Sequence, residues 1–292
     1  MNILTFDIEE WYLEKILHGG RAFRYQQFND AFSKVLDELD RHCIKATFFC
    51  VGKMATDFPE VVREIASRGH EIGCHSNEHA WLNTMTEKQL KDDTLEAVKN
   101  LEDVSGQRVV SYRAPAFSIT KENKWAVNVL VECGMENDAS IFPTYHDFGG
   151  YKGFPQDTPC IVSHEGATLK EYPVCLTTVC GKRIAYSGGG YFRMLPYKFV
   201  SKTMGKREYN ICYFHLNDLI KQKIAFKSKT EYEEYYKEPG TIRNRTMRYL
   251  KSNIGTGDAF SKLLRLLNER FFVSLYEAGQ NINWSEKKII EL

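Results

Sequence analysis

A chain of 292 residues with 43% hydrophobic and 26% charged side chains can build a sizeable core under a solvated surface, which excludes a disordered protein. Lysine plus arginine number 39 and aspartate plus glutamate 38, a net charge of +1 that argues against nucleic acid, because phosphate binding calls for a basic excess. No apolar run reaches the roughly 20 residues needed to span a bilayer. Met1-Asn2 leads straight into ILTF with no room for a signal peptide, and the eight cysteines form no C-x-x-C pair, so the expected address is a reducing cytoplasm.

From Met1 to about Asn137 short apolar runs alternate with helical patterns. ILTF (3–6) precedes an amphipathic stretch with Phe32, Val35, Leu36, Leu39 and Cys43 at helical spacing. ATFFCV (46–51), a helix through Val61–Ile65 and the strand EIGC (71–74) come next. A helix from Thr86 to Leu101 follows, then VVSY (109–112) and a helix from Thr120 through Val131, ended by Gly134. Such alternation means parallel strands joined by crossover helices. Beyond Asn137, residues 160–163, 171–175, 183–186 and 191–195 read as short strands, with the Ser187–Gly190 run as a turn between the last two. ICYF (211–214) is again a buried strand. Residues 219–256 are polar, like a long excursion or lid. Leu263, Leu264, Leu266, Leu267, Phe271 and Phe272 mark a closing amphipathic helix. With no repeat or linker, the expectation is one domain: an α/β, irregular (β/α) barrel over 1–218, with 219–292 as its lid and closing helix.

Four polar residues each stand directly after a four-residue apolar run: Asp7, His75, Arg113 and His215. Asp138 closes a fifth, less apolar segment. In a parallel (β/α) fold all strand ends of one polarity share a face, and active sites are built there. His75 and His79 in HSNEH, at i and i+4 on a helical turn, could share one metal through imidazole nitrogens; the blander reading is two unrelated histidines. Asp7-Ile8-Glu9-Glu10 places three carboxylates in four residues, and alternation points Asp7 and Glu9 to one side; the blander reading is a solvated acidic turn. Glu9 is assigned to the metal and Asp7 to the base, with Glu10 as the second choice of ligand. Two imidazoles and a carboxylate suit zinc, cobalt, nickel or iron(II), zinc being the first choice.

TFDIEE, HSNEH, RAPAF, DASIFP and YFH stand in the order and context of the motifs of the polysaccharide deacetylase family (NodB homology, carbohydrate esterase family 4). The chain resembles that family over roughly Met1 to Asp218. GGGYFRMLP and the DIEEW opening resemble a subgroup associated with surface-polysaccharide or O-antigen biosynthesis. The resemblance implies a NodB-like, seven-stranded barrel and removal of an N-acyl group, normally acetyl, from an amino sugar that is free, nucleotide-linked or lipid-linked. It further implies Asp7 as general base, Glu9, His75 and His79 on a divalent metal, and Arg113 holding ionised Asp7. Pro115 and Phe117 would shape the groove wall, and His215 would be the general acid, tuned and oriented by Asp138. Most members read T-F-D-D-G, whereas Ile8 stands at the second of those aspartates here. After His215 the chain reads Leu216-Asn217-Asp218 instead of Pro-Trp-Glu.

Tyr191 and Arg193, beside the glycine run, are candidate sugar contacts, and Trp11, Tyr12 and Trp81 could stack on a ring or pack. His18, His42, His70, His146 and His164 are read as structural. Two readings stand beside the deacetylase. One is cleavage of another C–N bond on the same fold, as in a deformylase or an allantoinase-like enzyme. The other is a carbohydrate-binding pseudoenzyme, which would be expected to lack one of Asp7, His75, His79 or His215.

Overall fold

The apolar runs ahead of the helices fold as strands buried along nearly their whole length, the pattern of parallel strands covered on both faces. In the computed structural model, which describes residues 1–20, 24–146, 149–221, 223–236 and 238–292, these are β1 (Asn2–Ile8), β2 (Thr47–Cys50), β3 (Glu71–Cys74), β4 (Ser111–Tyr112) and β5 (Asn137–Asp138). There follow β6 (Cys160–His164), β7 (Ala167–Glu171), β8 (Leu176–Val179), β9 (Lys182–Ala185), β10 (Asn210–His215) and β11 (Ile289–Glu291). The main sheet runs β10-β1-β2-β3-β4-β5-β7-β6-β11.

Its first seven neighbours are parallel, while β6 pairs antiparallel with β7, and β11 runs parallel to β6. The seven-stranded (β/α) architecture is therefore present as a distorted, open barrel. Among the described residues β10 and β7 share no ladder. On that side Gly188 makes a single parallel bridge to Tyr213 of β10.

Helices cover the sheet through the apolar stripes that the sequence spaces for them. Tyr25–Arg41 buries Phe28, Phe32, Val35, Leu36 and Leu39. It ends before Cys43, which sits in the left-handed region at φ 53° and so lies outside the helix expected to include it. Glu87–Ser105 begins at a capping box of Thr86 and Gln89 and stops at Gly106 in the left-handed conformation. One core cluster runs from Ile3 through Phe214 to Leu263, Leu266, Phe272, Leu275 and Ile290. Among the described residues no helix is long and apolar enough to cross a membrane.

Some sequence expectations are corrected. Strand pairing of VVSY narrows to Ser111–Tyr112, and the helix expected from Thr120 begins at Ala126. The strand expected at 171–175 lies earlier, at Ala167–Glu171. It pairs with β6 around Glu165-Gly166, both at positive φ as tight hairpins require, while Pro173 has no N–H to continue a ladder. Residues 191–195 are not a strand: Gly189–Met194 is a helix. The glycine run permits this, because a Cβ on Gly188 would lie 2.4 Å from the Tyr213 ring. In the closing helix (Ala259–Glu269) Leu263, Leu266 and Leu267 are buried, but Phe271 lies past its end and is 67% exposed.

His70, one residue before β3 and 1% exposed, accepts a hydrogen bond on Nδ1 from Ala46 N at 3.3 Å. Burial, with the Lys45 charge assisting, pushes its pKa down to about 4, against about 6.5 in an unfolded chain. The unfolded state thus takes a proton that the native state refuses. Stability is complete above about pH 6.5 and falls toward pH 4, by up to about 1.4 kcal/mol per pH unit. His70→Asn keeps the acceptor and removes the titration. Urea midpoints measured from pH 7 to pH 4.5 should fall less steeply than in wild type, and equal slopes would refute this source of acid sensitivity.

Candidate active site and metal centre

Register builds the first half of the site. β1 pairs with β10 so that Asp7 is the Cα partner of His215, and β2 flanks Asp7 on its other side. Two residues more than 200 apart in sequence thereby share one rim. Asp7 is 2% exposed, and its Oδ1 accepts a hydrogen bond from Arg113 Nη1 at 2.7 Å. The same nitrogen donates to Thr5 Oγ1 at 2.8 Å, and Arg113 Nε donates to the Ala139 carbonyl at 3.1 Å. Oδ2 of Asp7 remains on the His215 side, 3.8 Å from Nε2.

Glu9, at the N-terminal boundary of the Glu10–Leu17 helix, meets both histidines of HSNEH. Its Oε2 is 2.6 Å from His79 Nε2 and 3.5 Å from His75 Nε2, and one donor atom from each residue lies within 4.8 Å of the others. The helical turn expected for HSNEH is not formed. Residues 75–79 are a loop with Ser76 at φ 64° and His79 at φ 56°. Asp93 anchors it by accepting from Asn77 N at 2.9 Å, and Gly52 N donates to Ser76 O at 2.9 Å. Glu10 turns elsewhere: it is 1% exposed, accepts from Asn217 N at 2.9 Å, and is pushed up to about 7 by burial and by neighbouring Glu9.

The donor set fits a divalent cation. His75 Nδ1 lies 2.7 Å from the Arg113 carbonyl, which can only accept, so that nitrogen donates and Nε2 is the ring atom left to bind a cation beside Glu9. A tetrahedral site with bonds of about 2.1 Å has donor–donor edges of about 3.4 Å, close to the 3.5 Å from His75 to Glu9. Burial works against the Glu9 charge, but His79, His215 and the histidine hydrogen bonds outweigh it and hold the carboxyl well below the usual range.

His215 is oriented by a residue to which the sequence assigned no role. Its Nδ1 lies 3.2 Å from Asp218 Oδ2, which also accepts from His215 N at 3.1 Å. Asp218 Oδ1 in turn pairs with Arg193 Nε at 3.0 Å. Burial opposes the imidazolium, but Glu9, Asp218 and Asp7 hold the His215 pKa well above its ordinary value. Asp138 was expected to orient His215, but its buried carboxyl accepts from Ser140 Oγ at 2.5 Å instead, and burial raises its pKa against the lowering hydrogen bonds of Glu171 and Ser140. Ser140 in turn receives Ala114 N at 2.8 Å, so Asp138 braces the turn that carries Arg113. The one signal for Asp218 was its place three residues after His215, where it caps the short Leu216–Leu219 helix.

These groups open into one cavity of about 450 Å³. Phe117, Tyr191 and Trp81 line it, and so, against the sequence expectation of a purely structural role, does His146, which packs 5.5 Å from the Phe117 ring. Pro115 is buried behind the wall and shapes it indirectly, starting a turn in which Ala116 and Phe117 adopt φ of 56° and 52°. Arg193 lines the cavity but spends its guanidinium on Asp218 and on the carbonyls of Lys251 and Ser252. Trp11 is core, 2% exposed against Phe28 and Phe32, and Tyr12 is 6% exposed; neither lines the cavity.

Residues 3–137 match the family model for polysaccharide deacetylases, and residues 139–278 match a domain of unknown function (DUF3473). Residues 3–137 are a polysaccharide deacetylase domain. Over 126 residues the chain is 35% identical to a peptidoglycan-N-acetylglucosamine deacetylase of Bacillus cereus, covering 43% of either chain. Over 89 residues it is 32% identical to a peptidoglycan-N-acetylmuramic acid deacetylase of Bacillus subtilis, covering 30% of this chain and 34% of that one. The chain thus spans less than half the length of these relatives. The crystal structure of a candidate polysaccharide deacetylase from Mycobacterium smegmatis superposes with a TM-score of 0.65 at 18% identity, covering 100% of this chain and 92% of that one, which fixes the fold.

The deacetylase domain supplies Asp7, Glu9, His75, His79 and Arg113, while Tyr191, Arg193, His215 and Asp218 come from the segment matching the domain of unknown function. The pairing of β1 with β10 joins the two sets. Asp218→Asn removes a carboxylate from His215 Nδ1. On metal-free protein the imidazole pKa should drop by about one unit or more, read by NMR titration of the His215 ring. An unchanged value would remove Asp218 from the network.

Proposed function

We propose that this chain is a divalent-metal-dependent hydrolase that removes an N-acyl group, normally acetyl, from an amino sugar. One observation carries the reading: Asp7 and His215 stand 3.8 Å apart beside the Glu9–His75–His79 cluster in a single cavity. A divalent cation held by Glu9, His75 and His79, zinc being the first choice, would polarise the acyl carbonyl and lower the pKa of water to about 7.

The chain's own groups divide the remaining work. Asp7, held by the Arg113 hydrogen bond, accepts a proton from the attacking water as the new C–O bond forms. His215 is biased toward its protonated form and aims Nε2 into the cavity while Asp218 holds Nδ1. It gives that proton to the nitrogen as the C–N bond breaks, releasing carboxylate and amine. Phe117, Trp81 and Tyr191 offer faces to a pyranose ring. The relatives named for deacetylating N-acetylglucosamine and N-acetylmuramic acid units support an amino-sugar substrate. The wider setting we propose is surface-polysaccharide or O-antigen precursor synthesis in a reducing cytoplasm, consistent with eight unpaired cysteines.

Metal analysis and acetate release from N-acetylated sugars test this together. Wild type should carry about one metal per chain, and His75→Ala and Glu9→Ala should lose both metal and activity. Wild type without metal, and without activity when divalent ions are added, would overturn the mechanism. Asp7→Asn should retain the metal while kcat falls by about 10²- to 10⁴-fold. A kcat within a few fold of wild type would mean that another group is the base.

A further inference from the structure

The cavity has a wall that the hydrolytic chemistry does not use. The helix Ile242–Asn253 contributes Arg248, Lys251 and Ser252 to its lining. That helix bears Arg243, Arg245, Arg248 and Lys251 and no acidic residue. Residues 219–256 hold nine basic and four acidic side chains, a surplus of five in a chain whose net charge is +1. A net positive surplus therefore falls on this segment, and its helix borders the site.

Its placement is fixed by the site itself. Arg193 donates to the carbonyls of Ser252 at 3.0 Å and Lys251 at 3.2 Å while pairing with Asp218, so the end of the helix is tied to the network that orients His215. Arg248 is 15% exposed in its side chain, lies over the Tyr236 ring at 4.8 Å and stands 3.4 Å from Glu238. Tyr236 lines the same cavity. Deeper in, Arg113 pairs with Asp7 and Arg193 with Asp218, while Arg248 and Lys251 stand on the outer wall of the same cavity.

We propose that the sugar processed here is phosphorylated, with Arg248 and Lys251 recognising its phosphate or diphosphate; this rests on the amino-sugar reading above. The two cations are three residues apart on one helix, neighbours at about 5–6 Å between Cβ atoms. That spacing suits a group with oxygens in several directions, and a guanidinium is the side chain whose fork fits phosphate best. The phosphate can come from a nucleotide-linked or a lipid-linked sugar. The same helix exposes Ile242 at 67%, Met247 at 50% and Leu250 at 45%, so the lipid-linked form belongs among the probes.

The metal-loaded enzyme is assayed on a neutral N-acetylglucosamine tetramer, on UDP-N-acetylglucosamine and on lipid-diphosphate N-acetylglucosamine in detergent. Wild type is compared with Arg248→Ala/Lys251→Ala and with the charge-retaining Arg248→Lys/Lys251→Arg. The ratio of kcat/KM, phosphorylated over neutral, should fall at least about tenfold in the alanine pair, the scale of one lost charge-assisted contact, and recover in the charge-retaining pair. Whichever phosphorylated probe shows the effect identifies the carrier. Equilibrium dialysis of N-acetylglucosamine 1-phosphate against N-acetylglucosamine supplies a readout independent of turnover. A wild type that prefers the neutral tetramer, with a ratio unmoved by the alanine pair, overturns the phosphate site and leaves the hydrolase reading intact. If no probe is hydrolysed but the phosphorylated sugar binds tighter and loses that preference in the alanine pair, the hydrolase reading fails and the phosphate site stands. Equal binding of both sugars by wild type overturns the phosphate site in either case.

Discussion

The guanidinium of Arg113 is the constraint on which the site depends. It is 1% exposed, lies 4.3 Å from the Phe49 ring centroid, and donates to Asp7, Thr5 and the Ala139 carbonyl. Its own carbonyl fixes the tautomer of His75. A buried cation is costly without a partner, and Asp7 supplies it at 2.7 Å, so removing either side would leave the other uncompensated. β1, the strand end at Arg113 and the turn after β5 are thereby held to one geometry. Gly73 contributes from β3, because a Cβ there would lie 2.5 Å from the Phe49 ring that supports the guanidinium.

Two polar networks converge on Glu9. From one side come His75 and His79, and from the other His215, 3.6 Å from Oε1. Carboxylates and imidazoles alternate along this line, so each carboxylate has an imidazole neighbour although most are removed from water. The loop that presents the two histidines is locally strained: two non-glycine residues in the left-handed region cost on the order of 1–3 kcal/mol each. Asp93 and Gly52 hold it through backbone hydrogen bonds, which places the strain beside the metal-ligand candidates.

The molecule also separates its chemistry along the chain. The deacetylase domain carries Asp7, the Glu9–His75–His79 cluster and Arg113, while the later segment carries His215, Asp218 and the basic helix that walls the cavity. Neither set forms a site alone. The parallel pairing of the first strand with the tenth makes them one, and Arg193 extends that connection to the helix at 242–253.

The sequence by itself determined the fold class and the family, and it placed Asp7, His75, Arg113 and His215 at one rim. It could do so because a residue just past a buried strand is a local pattern, and parallel topology turns that pattern into a shared face. Only the tertiary structure decided that Glu9 and not Glu10 joins the histidines, that HSNEH is a loop and not a helical turn, and that Asp218 in place of Asp138 holds His215. It alone brought His146 and the helix at 242–253 to the cavity. These outcomes depend on the paths of irregular segments and on side-chain reach, which leave no period to read along the chain and, for Asp218, only its place three residues after His215.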